Sequence, residues 1–186
     1  MTTLPHIRLN TERLSLRLPE ESDADAVFAI YADTKVARYL SRPAWTGIAQ
    51  AHAWLARMRD EQQQASALQL MLQRNEDDRV LGTCTLFKLD FDNRRAEIGY
   101  TLASQYWGKG YMHEALVALL DHGFDALTLH RVEADIDPRN EPSARVLDRL
   151  GFQKEGHLRQ RWQVAGEITD SDIYGLLAPE WRKRAE

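Results

Sequence analysis

The stretch Gln105-Tyr106-Trp107-Gly108-Lys109-Gly110 is where this chain first shows chemistry. It follows a strand-like run, Ala96 to Leu102, and leads into a helical run that opens at Tyr111 and Met112. The first amides of a helix have no internal acceptor, and the helix dipole adds partial positive charge there. Glycine lets a loop backbone come close to a ligand and tolerates positive φ. Gly108 and Gly110 therefore predict a pyrophosphate cradle whose ligands are backbone N–H groups.

A cradle needs a frame, and the flanking pattern predicts one. Leu14 to Leu18 alternates as a strand does. Ser22 with Asp25 predicts a capped helix carrying Ala26, Val27, Ala29 and Ile30. A second helix is expected over Lys35 to Leu40, and Thr46 is expected to cap a third that runs to about Gln63. Strands follow over Ala67 to Arg74, Val80 to Leu89 and Ala96 to Leu102, with turns at Asn75 to Asp78 and Asp92-Asn93. After the loop come a helix to about Phe124, a strand over Arg131 to Ile136, and a helix over Ser143 to Leu150 ended by Gly151. Strands near Gln153 to Arg161 and Asp170 to Leu177 close the chain. No repeat, linker or low-complexity tract appears, so one domain over residues 1–186 is expected. This order predicts an α/β class, more narrowly an α+β mixed sheet with helices on its faces.

Composition narrows the function classes. A chain of 186 residues can build a real core, and its 44% hydrophobic and 28% charged residues are ordinary for a globular protein. A net charge of -4 lacks the basic excess of a nucleic-acid binder. The single cysteine, Cys84, excludes an intrachain disulfide and suits a reducing compartment. Met1 to Arg8 has no apolar signal-peptide core, and no run approaches the roughly 20 apolar residues of a membrane span. A cytoplasmic protein with no membrane or nucleic-acid partner is expected. No metal site is expected either: His113-Glu114 begins like a zinc motif, but no histidine follows at helical spacing. Cys84, between Thr83 and Thr85, reads as a small buried residue.

With these elements placed, the chain resembles the GNAT family of N-acetyltransferases, in its RimJ/RimL branch. Gln105, Gly108 and Gly110 match that family's Gln/Arg-x-x-Gly-x-Gly/Ala signature. Thr11-Glu12-Arg13-Leu14 with Leu16-Arg17 looks like the branch's opening strand, and Ala96-Glu97-Ile98-Gly99-Tyr100 like its strand before the loop. Asn140-Glu141-Pro142-Ser143, Leu150-Gly151-Phe152 and Glu155-Gly156 are similar to its downstream block. The resemblance runs from Thr11 to about Leu177. It implies a mostly antiparallel sheet that splays between the strand ending at Leu102 and the strand Arg131 to Ile136. It implies acetyl-CoA as cosubstrate, with CoA released. Amides from Gly108 to Met112, Tyr111 included, would bind the diphosphate. The pantetheine arm would lie beside Tyr100, Thr101 and Leu102 as a partial extra strand. Asn140 would bond the pantetheine or order the site, and Lys109, Arg145 and Arg149 would neutralise CoA phosphates. Tyr31, Tyr39 and Trp45 fall in the early helical region that covers the acceptor pocket in this family.

Acetylating an amine requires a neutral nitrogen, whereas a lysine ε-amine has a pKa of about 10.4 and an α-amine about 7.7–8.0. Glu97 is the first candidate for the general base, with apolar neighbours expected to raise its pKa. Its alternative role is a structural pairing with Arg95 or Arg131. The family template sometimes adds a carboxylate on the strand after Glu155, where this chain has Gln160-Arg161-Trp162-Gln163. That departure leaves more of the task to Glu97 or to a bound water. Ser143 is the candidate donor to the leaving sulfur, or a helix cap, with Tyr106 and Tyr111 as other donors. The amide near Thr101 or Leu102 would polarise the thioester carbonyl. The branch points to a protein or peptide N-terminal α-amine as acceptor. Polyamines, amino acids and antibiotics remain alternatives, as does a CoA-binding regulatory module without turnover. A homodimer through the early helices or closing strands is a further expectation.

Overall fold

A computed structural model of the chain describes residues 7–184. Its first half runs β1 (Arg8–Asn10), β2 (Leu14–Arg17), α1 (Ala24–Ala32), α2 (Thr34–Ala37), α3 (Ala49–Gln63), β3 (Ala67–Arg74) and β4 (Val80–Asp90). Its second half runs β5 (Arg95–Leu102), α4 (Tyr111–Asp121), β6 (Arg131–Ile136), α5 (Glu141–Arg149), β7 (Gln153–Val164), β8 (Glu167–Leu177) and α6 (Ala178–Lys183). The strands form one eight-stranded sheet in the order β1-β2-β3-β4-β5-β6-β8-β7. Every neighbouring pair is antiparallel except β5 with β6, as a mostly antiparallel mixed sheet requires.

Both faces of the sheet are covered. Side chains alternate along a strand. On β3, Leu68, Leu70 and Leu72 join the larger core with α4 and α6, while Met71 joins a second core with α1 and α3. Helix α4 buries Met112, Ala115, Leu116, Leu119 and Leu120, the spacing of one helical face. That stripe seats the helix, and with it the glycine loop before it, on the sheet.

Three helix starts differ from the sequence reading. Ser22 is not a cap. A short 3-10 turn occupies Glu21–Asp23, and the buried Asp23 carboxylate accepts from the Glu20 N–H at 2.8 Å. The Arg17 guanidinium grips the same carboxylate at 2.7 and 2.8 Å, which ties the turn to β2. Thr46 does not cap α3; the Gln50 side chain accepts from the Thr46 and Gly47 N–H groups at 2.8 and 3.2 Å. Helix α5 starts at Glu141, and its cap is Asn140, whose side chain accepts from the Ser143 N–H at 3.2 Å. Gly151, at φ 87°, does end α5 as expected. The Gly151 N–H reaches the Asp148 carbonyl and the Phe152 N–H the Leu147 carbonyl, each at 3.0 Å, a Schellman stop.

The sheet divides at β5 and β6. They pair in parallel only from Arg95–Glu97 against Arg131–Glu133. Beyond that rung Ile98 to Leu102 stays with β4, while Ala134 to Ile136 stays with β8. Gly82 fixes one arm of this fork, because a Cβ there would stand 2.2 Å from the Thr101 carbonyl oxygen. We expect Gly82→Ala to cost about 1–3 kcal/mol through forced overpacking. Gly156→Ala on the edge strand, where a Cβ meets nothing within 4 Å, should stay within about 0.5 kcal/mol. Urea denaturation of the two variants checks both values.

Candidate active site

The glycine loop has the backbone geometry that an anion site requires. After β5 a 3-10 turn over Ser104–Tyr106 reverses the chain, and Gly108 and Gly110 take φ values of 73° and 81°. A Cβ at Gly108 would meet nothing within 4 Å, so the left-handed backbone, not crowding, calls for glycine there. Gly110 precedes α4 directly, and among the described residues no side chain caps that helix. Its leading amides therefore keep their donors and their share of the dipole for a ligand. The loop is also anchored. The Ser104 hydroxyl bonds Asp33 at 2.6 Å, and the Trp107 indole N–H bonds the Leu102 carbonyl at 2.7 Å.

A second support was not legible in the sequence. Glu114, one turn into α4, accepts from the Thr11 hydroxyl at 2.5 Å and from the Arg13 N–H at 2.8 Å. Its other oxygen accepts from Arg13 Nε at 2.6 Å, and Arg13 Nη1 donates to the Lys109 carbonyl at 3.0 Å. The Arg13 guanidinium also lies 4.5 Å from the Tyr111 ring centre. The opening segment thus grips the loop from behind and takes a loop carbonyl to itself. Burial pushes the Glu114 carboxyl up, but the Thr11 and Arg13 bonds outweigh it and hold its pKa below the ordinary 4.5.

The fork opens into a cavity of about 700 Å³. Glu97, Tyr100, Thr101, Asn140 and Ser143 line it, as do Tyr31 and Tyr39. Glu97 does not pair with Arg95 or Arg131; Lys88 bonds its Oε1 at 2.6 Å. Glu97 stands on the last parallel rung directly opposite Glu133. Like charges so placed repel, and each has its own cation: Lys88 for Glu97, and Arg131 at 2.8 Å for Glu133. Ser143 is not the helix cap. Its hydroxyl meets the Tyr100 hydroxyl across the fork at 2.6 Å. Burial pushes the Tyr100 phenol up to about 12, so it stays protonated at neutral pH.

The remaining expected residues sort by position. Gln105, Gly108, Lys109 and Gly110 are exposed on the loop, and Lys109 Nζ lies 5.5 Å from the Tyr106 ring centre. Met112 is a core side chain, so its backbone alone faces the cradle, and Tyr106 is buried as well. Arg149 is exposed at the end of α5, and Arg145 pairs with Glu141 at 3.2 Å. Trp45 is buried against Tyr31, with ring centres 4.7 Å apart, and is absent from the cavity wall. Trp162 on β7 and Trp54 on α3 reach the wall instead. Cys84 is fully buried, which pushes its thiol far up and suits packing. Among the described residues no group of three His, Cys, Asp or Glu side chains is placed to hold a metal.

A family model described as an acetyltransferase (GNAT) domain matches residues 13–153. The chain belongs to the GNAT family of N-acetyltransferases. It is 39% identical over 173 residues to the uncharacterized N-acetyltransferase p20 of Bacillus licheniformis, spanning 93% of this chain and 97% of that one. It is 29% identical over 189 residues to the ribosomal protein uS5-alanine N-acetyltransferase of Escherichia coli, spanning 97% and 95%. Among solved structures, Mycobacterium smegmatis RimJ in complex with CoA-disulfide superposes with a TM-score of 0.83 at 27% identity, covering 94% of this chain and 89% of that one.

The Glu114 support carries a pH signature. A carboxyl whose folded pKa is depressed stabilises the fold above its unfolded value and loses that stabilisation as pH falls through the folded one. We expect wild-type stability to fall as pH drops below about 4.5. Glu114→Gln should lose about 1–3 kcal/mol at pH 7 and show a shallower acid slope. Denaturant titrations from pH 7 to pH 3 measure both.

Proposed function

We propose that residues 1–186 form one acetyl-CoA-dependent N-acetyltransferase domain that works in the cytoplasm, with a peptide or protein N-terminal α-amine as acceptor. The observation that carries the reading is the fork: one arm of β5 ends in the glycine loop, and the opening beside it leads to Glu97, Tyr100 and Ser143. When bound, the thioester supplies the acetyl group and a stable thiolate leaving group. The residues present suit it. Uncapped amides and positive-φ glycines stand at one end, with Lys109 beside them. Unpaired β5 backbone lies along the opening, as strand-like binding of an extended arm requires.

The side chains then handle protons. Glu97 takes the surplus proton of the incoming amine, directly or through water. Lys88 occupies its Oε1, while Oε2 has no hydrogen-bond partner among the described residues. Tyr100 stays protonated, and its hydroxyl shares a 2.6 Å bond with the Ser143 hydroxyl in which either can donate. With Tyr100 as the donor, the Ser143 O–H can turn into the cavity, where a departing sulfur needs a proton.

The acceptor class rests on two supports. The likeness to a ribosomal-protein-alanine N-acetyltransferase favours an α-amine. The cavity's charges disfavour a polyamine, which needs free carboxylates. Glu97 is bonded by Lys88, Asp137 and Glu167 by Arg139, and Glu61 and Asp135 stand 3.7 Å from Arg57 and Arg161.

A thiol-release assay over peptide N-termini, amino acids, polyamines and amino-sugar antibiotics tests this. We expect peptide turnover, with Glu97→Gln lowering kcat by about 10²–10⁴ and leaving KM for acetyl-CoA in place. Ser143→Ala and Tyr100→Phe should cost less, because a thiolate leaves readily. Gly110→Glu should abolish the heat of CoA binding in calorimetry. Binding of acetyl-CoA with no thiol release for any amine would favour a regulatory CoA-binding module instead.

A further inference from the structure

The cations on the cavity wall are not all matched. Lys88, Arg57 and Arg139 pair with its carboxylates, but Arg38 and Arg42 make neither an ion pair nor a hydrogen bond among the described residues. Arg38 lies near enough to Asp137 to add to its field. Burial pushes that carboxyl up, and Arg139 with Arg38 brings it below its ordinary value, but Arg139 already holds the bonds.

Arg42 is nonetheless held in place. Its guanidinium carbon lies 4.4 Å from the Tyr31 ring centre and 5.4 Å from that of Trp45. Those rings are themselves fixed: Trp45 is buried, and the Tyr31 hydroxyl bonds Thr83 at 3.1 Å. Arg38 sits 5.2 Å from the Tyr39 ring centre in the same manner. Stacking engages the face of a guanidinium and leaves its in-plane fork of N–H donors open. A half-buried, ring-held fork with no counter-ion is preorganised for a carboxylate, which it can take in bidentate form.

We propose that Arg42, with Arg38 on the same cavity wall, is the acceptor-side anion clamp, and that the amine acceptor carries a carboxylate which this fork engages. The proposal rests on the amine-acetyltransferase reading above. The carboxylate belongs either to a free amino acid or to an acidic side chain near a peptide N-terminus; the chemistry at Arg42 is shared. The diphosphate of the cosubstrate does not compete for it, since the glycine loop and Lys109 lie outside the cavity wall. The role expected of Trp45 as a direct acceptor contact becomes that of the surface on which Arg42 rests.

Matched acceptor pairs test the clamp by thiol release: free alanine against alaninamide, and an alanine-aspartate peptide amide against its alanine-asparagine counterpart. Wild-type protein should favour the carboxylate member of at least one pair by about tenfold or more in kcat/KM. Preference in the first pair alone identifies an amino acid, and in the second alone an acidic peptide. Arg42→Gln should bring the ratio toward one, and Arg42→Lys, which keeps charge but loses the fork, should fall between. KM for acetyl-CoA should move less than about twofold in both variants, which also shows that they are folded. Equal use within both pairs by wild type, or a ratio that Arg42→Gln leaves intact, overturns the clamp while the enzyme stands. No turnover of any amine overturns the acetyltransferase reading itself, and the clamp with it.

Discussion

Everything functional in this fold depends on two strands ceasing to pair. After the rung that sets Glu97 opposite Glu133, β5 keeps its bonds to β4 and β6 keeps its bonds to β8, and the edges between them part. An edge of that kind is normally a liability, because unpaired N–H and C=O groups invite another strand. Here the open edge lies inside the sheet, where a whole protein strand cannot easily enter but a narrow extended ligand arm can. Asn140, Ser143 and the base of α5 stand at the mouth, and the Tyr100–Ser143 bond spans it.

The loop beyond β5 meets a different demand in the proposed function, that of holding negative charge with backbone alone. Backbone donors do so only if their carbonyls are turned away and their helix is held firm. Arg13 and Glu114 do both, the one by taking the Lys109 carbonyl and the other by fastening α4 to the chain's opening segment. The support consists of charge-assisted bonds around a carboxylate with 18% side-chain exposure, a setting in which such bonds are stronger than at the surface.

Across the cavity the electrostatics are of another kind. Carboxylates there are matched by cations, whereas two arginines rest on aromatic faces with their forks open. The proposed base and cofactor cradle are therefore positioned by the sheet and α4, while the proposed acceptor contacts fall to the segment between α1 and α3. Such a division lets acceptor preference change without disturbing the fork.

Much of the frame was legible from local pattern. β3 and β6 fall where alternation puts them, at Ala67–Arg74 and Arg131–Ile136. The positive-φ turn at Gly108 and Gly110 was legible because left-handed backbone before a helix is a local property of glycine. Gly151 declared the stop of α5 for the same reason. The partners of charged and polar groups were not legible. Lys88 claims Glu97 across a strand pair, Glu114 meets Arg13 from 101 residues away, and Ser143 meets Tyr100 from 43. Sequence order carries no distances, so it offered Arg95 or Arg131 as partners for Glu97 and left Ser143 as either a proton donor or a helix cap. Helix starts slipped because the caps compete: Asp23 answers to Arg17 on β2, a bond that exists only once the sheet has formed. The amino-acid order by itself determined the elements, the positive-φ turn before α4 and the family, since each follows from φ preference, periodicity and short motifs. Tertiary packing alone decided which cation faces which carboxylate and which arginine is left with its fork open, because those depend on distances that folding creates.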